Sequence, residues 1–197
     1  ESDKHSLLVK DCFLIFRAMS KLSVKSIDEN FLDARSTAVR SKLLSLKIIY
    51  SILKNHINCF LNKTITISSN ISNEKIPFID SIRNYLLLAL TKNAVYQLNE
   101  IYSVCLDIFY IMITNLRAEF INEIPVLFSE IFISIVEMSV SSDFQKNYFL
   151  SVVAKLANDP RLLIEFYLNF DCSENQPNII ESLINFLIKT ENNNLRN

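Results

Sequence analysis

The sequence contains no glycine and no tryptophan in 197 residues. Glycine makes up about 7% of an ordinary chain. It supplies turns with positive φ and the close backbone approach that bound phosphates require. Its absence excludes the glycine-rich phosphate loops, the dinucleotide fingerprint and the nucleophile elbow of hydrolases. Tight glycine-dependent β-hairpins are disfavoured for the same reason. Histidine is almost as scarce: His5 and His56 stand alone and form no HExxH pair.

The cysteines, Cys12, Cys59, Cys105 and Cys172, are scattered, so there is no Cys-x-x-Cys metal knuckle or redox pair. Cysteines placed inside apolar runs are expected to be small buried hydrophobes in a reducing compartment. No metal and no cofactor are expected. The net charge of −1 gives no general pull toward nucleic acid. No run reaches the roughly 18 uncharged residues of a membrane span; Asp107 interrupts the longest and Glu130 the next. The first residues show no signal peptide. The sequons at Asn62 and Asn70 are chance matches in a chain this rich in asparagine.

What the chain does have is helical periodicity almost throughout. Leu7 to Leu22 places Leu8, Cys12, Ile15, Phe16 and Met19 on one face. Val39, Leu43, Leu46, Tyr50, Leu53, Ile57 and Phe60 then follow steps of three and four, predicting one long helix. Residues 63–75 are polar and read as a loop; the alternation from Thr64 to Ile67 suits one short strand, with no partner in sight. Further helices are expected over Phe78–Ala94, Leu98–Ile121, Val126–Met138, Phe144–Ala157, Leu162–Leu168 and Ile179–Ile188, before a polar tail, 191–197, that frays. Pro77, Pro125, Pro160 and Pro177 each precede an apolar helical pattern, where a missing N–H is harmless. The starts I-P-F-I-D-S-I and I-P-V-L-F-S-E-I are separated by close to the ~40–47 residues of a HEAT or armadillo unit. The helix Val126–Met138 is apolar nearly all round, as the inner helices of a stacked solenoid are. The expected fold is all-α, an armadillo/HEAT-like right-handed α-solenoid of about eight helices in a single domain, 1–197.

Candidate chemistry is sparse. Glu119 and Glu123 form a like-charge pair at helical spacing, read as a solvated face rather than an acid–base pair. Arg35, Arg40, Lys42 and Lys47 concentrate positive charge at the start of the second helix, either a solvated face or a strip for a partner or phosphoinositide. The stretch L-N-F-D-C-S-E-N-Q-P-N groups Asn169, Asp171 and Cys172 as active-site loops do. Each of its polar residues also has a structural use. Asp159 or Asn158 suits the N-cap of the preceding helix. Asn169 suits a left-handed residue closing that helix where glycine is lacking. Asp171 suits backbone N–H groups in the turn, and Ser173 or Asn175 suits the cap of the next helix. Cys172 has no histidine near it in sequence. The stretch reads as a rigid joint, and no catalytic residue is assigned.

Four blocks then carry a resemblance: L-V-K-D-C-F-L-I-F-R-A-M-S-K-L-S-V-K, A-V-R-S-K-L-L-S-L-K-I-I-Y-S-I-L-K-N-H-I, F-I-D-S-I-R-N-Y-L-L-L-A-L-T-K-N and Y-L-N-F-D-C. In this order they resemble the HUS region ("homology upstream of the Sec-seven domain") of large Sec-seven/BIG-type Arf guanine-nucleotide exchange factors. The N-F-D-C of Asn169, Phe170, Asp171 and Cys172 is similar to that family's HUS box, with Phe170 where tyrosine is usual and Ser173 where an acid often follows. The resemblance implies a regulatory segment, with exchange performed by a separate downstream domain. It implies an armadillo-like rod and an interdomain role for the box. Leu7, Leu8, Phe13, Leu14, Ile15 and Phe16 put apolar residues on more than one face of the first helix, which is expected to dock, through Phe13 and Leu14, on the dimerisation domain upstream or, in the isolated chain, on a second copy. The partners it implies are small GTPases of the Arf, Arl and Rab classes and the peripheral surface of the trans-Golgi network, reached from the cytoplasm, with a homodimer formed through the parent protein. An unrelated helical-repeat adaptor fits the periodicity equally well.

Overall fold

The computed structural model describes residues 2–27, 35–68, 74–173 and 177–194. The described chain is mostly helical, with one short two-stranded hairpin. It divides into two compact units, Glu1–Ile111 and Met112–Asn197.

In the first unit, α1 (Ser2–Ser23) packs against both α2 (Thr37–Asn55) and α4 (Phe78–Asn93). The buried stripe of α1 runs through Val9, Phe16, Ser20 and Ser23, with Phe13 half-buried. This corrects the expected face, because Leu8, Cys12 and Ile15 are exposed. The helix is apolar on two sides, so periodicity alone could not choose between them. Ser36 caps α2 by accepting from the Val39 N–H (3.2 Å). The long second helix of the sequence reading is in fact two, because the backbone turns at His56 (φ −127°) before α3 (Ile57–Leu61). Edge-on rings then tie the elements together, Phe16 to Phe60 at 6.2 Å and Phe60 to Phe78 at 5.5 Å.

The segment read as a polar loop holds β1 (Thr66–Ser68) and β2 (Lys75–Pro77), paired antiparallel with Ile67 opposite Ile76. The strand expected near Thr66 therefore has a partner. That partner carries no strand-like alternation, which is why sequence pattern missed it. Pro77 (φ −52°) ends β2 and opens α4. Next, α5 (Asn99–Asn115) is buried around most of its circumference, by residues such as Ile101, Leu106, Phe109 and Met112.

The second unit begins at Met112, within α5; a turn over 116–122 follows, so the helix expected to reach Ile121 stops at Asn115 and Glu119 is not helical. A continuous run follows: α6 (Glu123–Val126), a π-helical stretch (Leu127–Ile133) and α7 (Ser134–Glu137). Pro125 lies inside α6, in the first turn, whose N–H groups have no intrahelical acceptor in any case. A reciprocal cap between Ser142 and Gln145 starts α8 (Asp143–Ala157). Asp159 caps α9 (Pro160–Phe166) by accepting from the N–H groups of Arg161 and Leu162, as expected. A second π-helical stretch (Tyr167–Asp171) follows, then α10 (Ile179–Asn194), which extends well into the tail expected to fray; residues 195–197 lie outside the described residues. Phe149 joins Phe128 (5.9 Å) and Phe186 (5.6 Å) in the core.

The least expected core residue is Lys42, which is 2% exposed. Its ammonium donates to the Ser23 carbonyl and to Asn93 Oδ1 (2.9 Å), and lies 4.7 Å from the centre of the Tyr96 ring. Asn93 in turn donates to the Ala89 carbonyl (2.7 Å). Ser23 ends α1, where carbonyls lack helical donors and the helix dipole is negative. One lysine of α2 thus satisfies the end of α1 and the end of α4. This corrects its assignment to the surface strip. The signal was present: Lys42 sits three residues after Val39 and four before Leu46, on the buried stripe.

Replacing Lys42 by Met keeps the side-chain length but orphans two buried acceptors. It is expected to lower unfolding free energy by about 1–3 kcal/mol in urea titrations. A second expectation concerns pH. Burial pushes the Cys105 thiol and the Tyr102 phenol well above their ordinary values of 9.0 and 10.0. Above those values the unfolded chain releases protons that the folded chain keeps, so stability falls with rising pH. Lys42 is lowered from 10.5, chiefly by burial, and gives the opposite slope below that value. With Cys105→Ala, the onset of alkaline destabilisation is expected to move from about pH 9 to about pH 10, read from melting curves across pH. An unchanged onset would refute the assignment to Cys105.

Candidate functional site

The N-F-D-C box closes α9, and its four residues face different ways. Phe170 is fully buried and meets Phe166 edge-on at 5.2 Å. A phenylalanine here needs no partner for a hydroxyl. Asn169 and Cys172 are exposed. Asp171 reaches across the joint: Oδ2 accepts from the Ile180 N–H and Oδ1 from the Glu181 N–H, each at 3.1 Å. It therefore caps the first turn of α10 from eight residues before that helix starts at Ile179. The residue in the local cap position, Asn178, instead donates from its side chain to Glu181 (2.7 Å).

Asn169 does not close the helix in a left-handed conformation. It lies within the π-helical stretch Tyr167–Asp171, and the closing residue is Cys172, with φ −87° and ψ 0°. The Cys172 N–H donates to the Tyr167 carbonyl five residues back (2.9 Å), the bond that defines a π turn. The exposed Tyr167 phenol is held above the ordinary tyrosine value, first by its hydrogen bond with Cys172. Ser173 donates from its backbone to the Phe170 carbonyl (3.1 Å); Asn175 lies outside the described residues.

The geometry is that of a joint. Both histidines belong to the other unit, so none stands in the unit that holds Cys172. Among the described residues no cluster of His, Cys, Asp and Glu could hold a metal, and no helix is long and apolar enough to cross a membrane. All four cysteines are free, and only Cys105 is buried, contrary to the expectation for Cys12, Cys59 and Cys172. Position within apolar sequence did not separate them, because those three sit on the outer sides of amphipathic helices or at their ends.

The other assigned residues fall in the first unit. Arg35, Arg40 and Lys47 are exposed, leaving Lys42 as the exception described above. Phe13 meets the Tyr85 ring at 6.0 Å, and Leu14 beside it is exposed. A groove of about 850 Å³ lies here between α1, α4 and the hairpin. The walls from Ile67, Ile76, Tyr85 and Leu88 were not legible in the sequence, which offered the strand at Thr64–Ile67 no partner.

Asp171→Ala removes both bonds to the α10 backbone and is expected to cost about 1–2 kcal/mol. Hydrogen exchange should rise at Ile180 and Glu181 before it rises elsewhere in α10. Asn169→Ala, at an exposed helical position, is expected to stay within about 0.5 kcal/mol of wild type.

Comparison with known proteins shows the family. The model of the Mon2/Sec7/BIG1-like HUS domain matches residues 8–179. The ADP-ribosylation factor guanine nucleotide-exchange factor SEC7 of Saccharomyces cerevisiae is 50% identical over 183 residues, which cover 93% of this chain and 9% of that protein. The exchange factor sec71 of Schizosaccharomyces pombe is 39% identical over 186 residues, covering 93% of this chain and 10% of the relative. The human brefeldin A-inhibited guanine nucleotide-exchange protein 1 is 36% identical over 183 residues, covering 93% and 9%. The chain therefore spans about a tenth of the length of these curated relatives. By the match of the family model and by these identities, the chain belongs to the Mon2/Sec7/BIG1-like HUS-domain family.

Proposed function

We propose that this chain is a non-catalytic regulatory and scaffolding region of a large Arf guanine-nucleotide exchange factor, acting in Golgi vesicle traffic. The observation that carries the reading is the outward face of α1. Leu7 is 60% exposed, Leu8 63%, Ile15 53% and Leu14 46%, and the face borders the groove lined by Phe13, Ile67, Ile76 and Leu88. An apolar face of this extent on one helix marks an interface. In an armadillo-like stack it is where the preceding helices of a longer rod would lie. Its occupant in this reading is the dimerisation domain upstream in the same protein. Through it the parent forms its homodimer and reaches the trans-Golgi membrane and small GTPases of the Arf, Arl and Rab classes. The box, Asn169 to Cys172, stiffens a surface used between domains, and Arg35, Arg40 and Lys47 offer a cationic contact to a partner or lipid. Exchange itself belongs to another part of the parent protein.

Two measurements test this. The purified chain is expected to leave the release of a fluorescent nucleotide from an Arf at the buffer rate, and a dose-dependent acceleration would overturn the reading. Leu14→Asp is expected to weaken pull-down of the upstream domain at least tenfold with helicity unchanged by circular dichroism. Undiminished association in a folded Leu14→Asp chain would place the docking surface elsewhere.

A further inference from the structure

The outward side of α2 carries a cationic ridge. Arg40, Lys47 and Lys54 follow one another at intervals of seven residues, and all three are exposed. Leu44, 60% exposed, and Ser51 fill the positions between them, so the ridge repeats in steps of four and three. No acidic residue occurs anywhere in α2. Among the described residues no carboxylate pairs with these three cations. Lys54 rests 5.4 Å from the centre of the Tyr50 ring, which holds its stem against the helix.

We propose that this ridge docks a single acidic α-helix of a partner protein, laid along α2. The proposal rests on the reading of α2 as partner-facing and narrows it to one chemistry. Residues seven apart on a straight α-helix drift by about 20° per heptad. A second helix crossing at about +20° follows such a drift along its length. Carboxylates at the same seven-residue period then meet each cation in turn, about 10.5 Å apart along the axis, and Leu44 supplies an apolar knob between the first two. A bilayer fits less well. Three cations at an anionic surface contribute about 1 kcal/mol each. With one exposed leucine beside them they fall short of stable anchoring, which takes a second signal.

The test uses the whole chain labelled with ¹⁵N. It is titrated with a three-heptad helical peptide carrying one glutamate per heptad, with the same peptide carrying lysine instead, and with vesicles of phosphatidylcholine and phosphatidylserine. The glutamate peptide is expected to shift the amides of Arg40, Leu44, Lys47 and Lys54, and the lysine peptide to leave them alone. In the combined variant Arg40→Gln, Lys47→Gln, Lys54→Gln, checked for folding by circular dichroism, affinity is expected to fall about tenfold, as the loss of three exposed pairs implies. Absence of shifts with the glutamate peptide, shifts centred elsewhere, or equal affinity in the variant would overturn the proposal. Vesicle binding that the variant loses, without peptide binding, would assign the ridge to a lipid surface instead. None of these outcomes touches the Leu14-dependent association or the nucleotide-release measurement, so the two readings fail separately.

Discussion

A chain without glycine must end its helices by other means, and this constraint shapes both units. The residues that close the helices, among them His56, Ala94, Met138, Asn158 and Cys172, all keep φ negative. None of these cap residues lies in the left-handed region. Terminal backbone groups are instead satisfied by side chains, some of them distant in sequence. Lys42 serves the last carbonyl of α1 across 19 positions, and Asp171 serves the first N–H groups of α10. Both bonds involve a charged group and an oppositely polarised helix end, the geometry in which such a bond is strongest.

The Lys42 site shows how a buried charge is tolerated with no counter-ion among the described residues. Desolvating an ammonium is costly unless its donors find acceptors. Here a helix-end carbonyl, an amide oxygen and the face of Tyr96 share the charge. The arrangement is specific as well as stabilising. Asn93 is itself held by the Ala89 carbonyl, so the depth of α2 and the end of α4 are set together. An apolar residue in this position would leave the packing of three helices free to slide.

Helix placement was legible in the sequence to the extent that one apolar face dominated. The helices Phe78–Asn93 and Asp143–Ala157 lie nearly where the periodicity puts them, and the Asp159 cap does as well. Reading failed where two faces competed, as in α1, or where the backbone left the α-helical period. The π-helical stretches Leu127–Ile133 and Tyr167–Asp171 shift the register of every later side chain, and no composition marks them. Half of the hairpin was legible, as the alternation around Thr66 showed one strand, but its partner, Lys75–Pro77, is too short to show a pattern of its own. Of the candidate site, Asp171 as an acceptor of backbone N–H groups was legible, because an aspartate before a helix-opening proline has few other uses. Its targets, nine and ten residues onward, were not.

The box shows how one backbone feature can bring together an active-site-like string of residues. Around a π turn each step rotates the chain less than in an α-helix, and hydrogen bonds skip five residues instead of four. Widening the last turn of α9 lets Phe170 point into the core beside Phe166 while the next residue, Asp171, faces α10. It also brings Cys172 back over Tyr167. The cluster of asparagine, aspartate and cysteine is therefore the outcome of one backbone feature. Its aspartate has each oxygen bonded to a backbone donor. A residue string of this kind fixes the angle between two helices, and what it offers to a partner is the outer surface that the fixed angle presents.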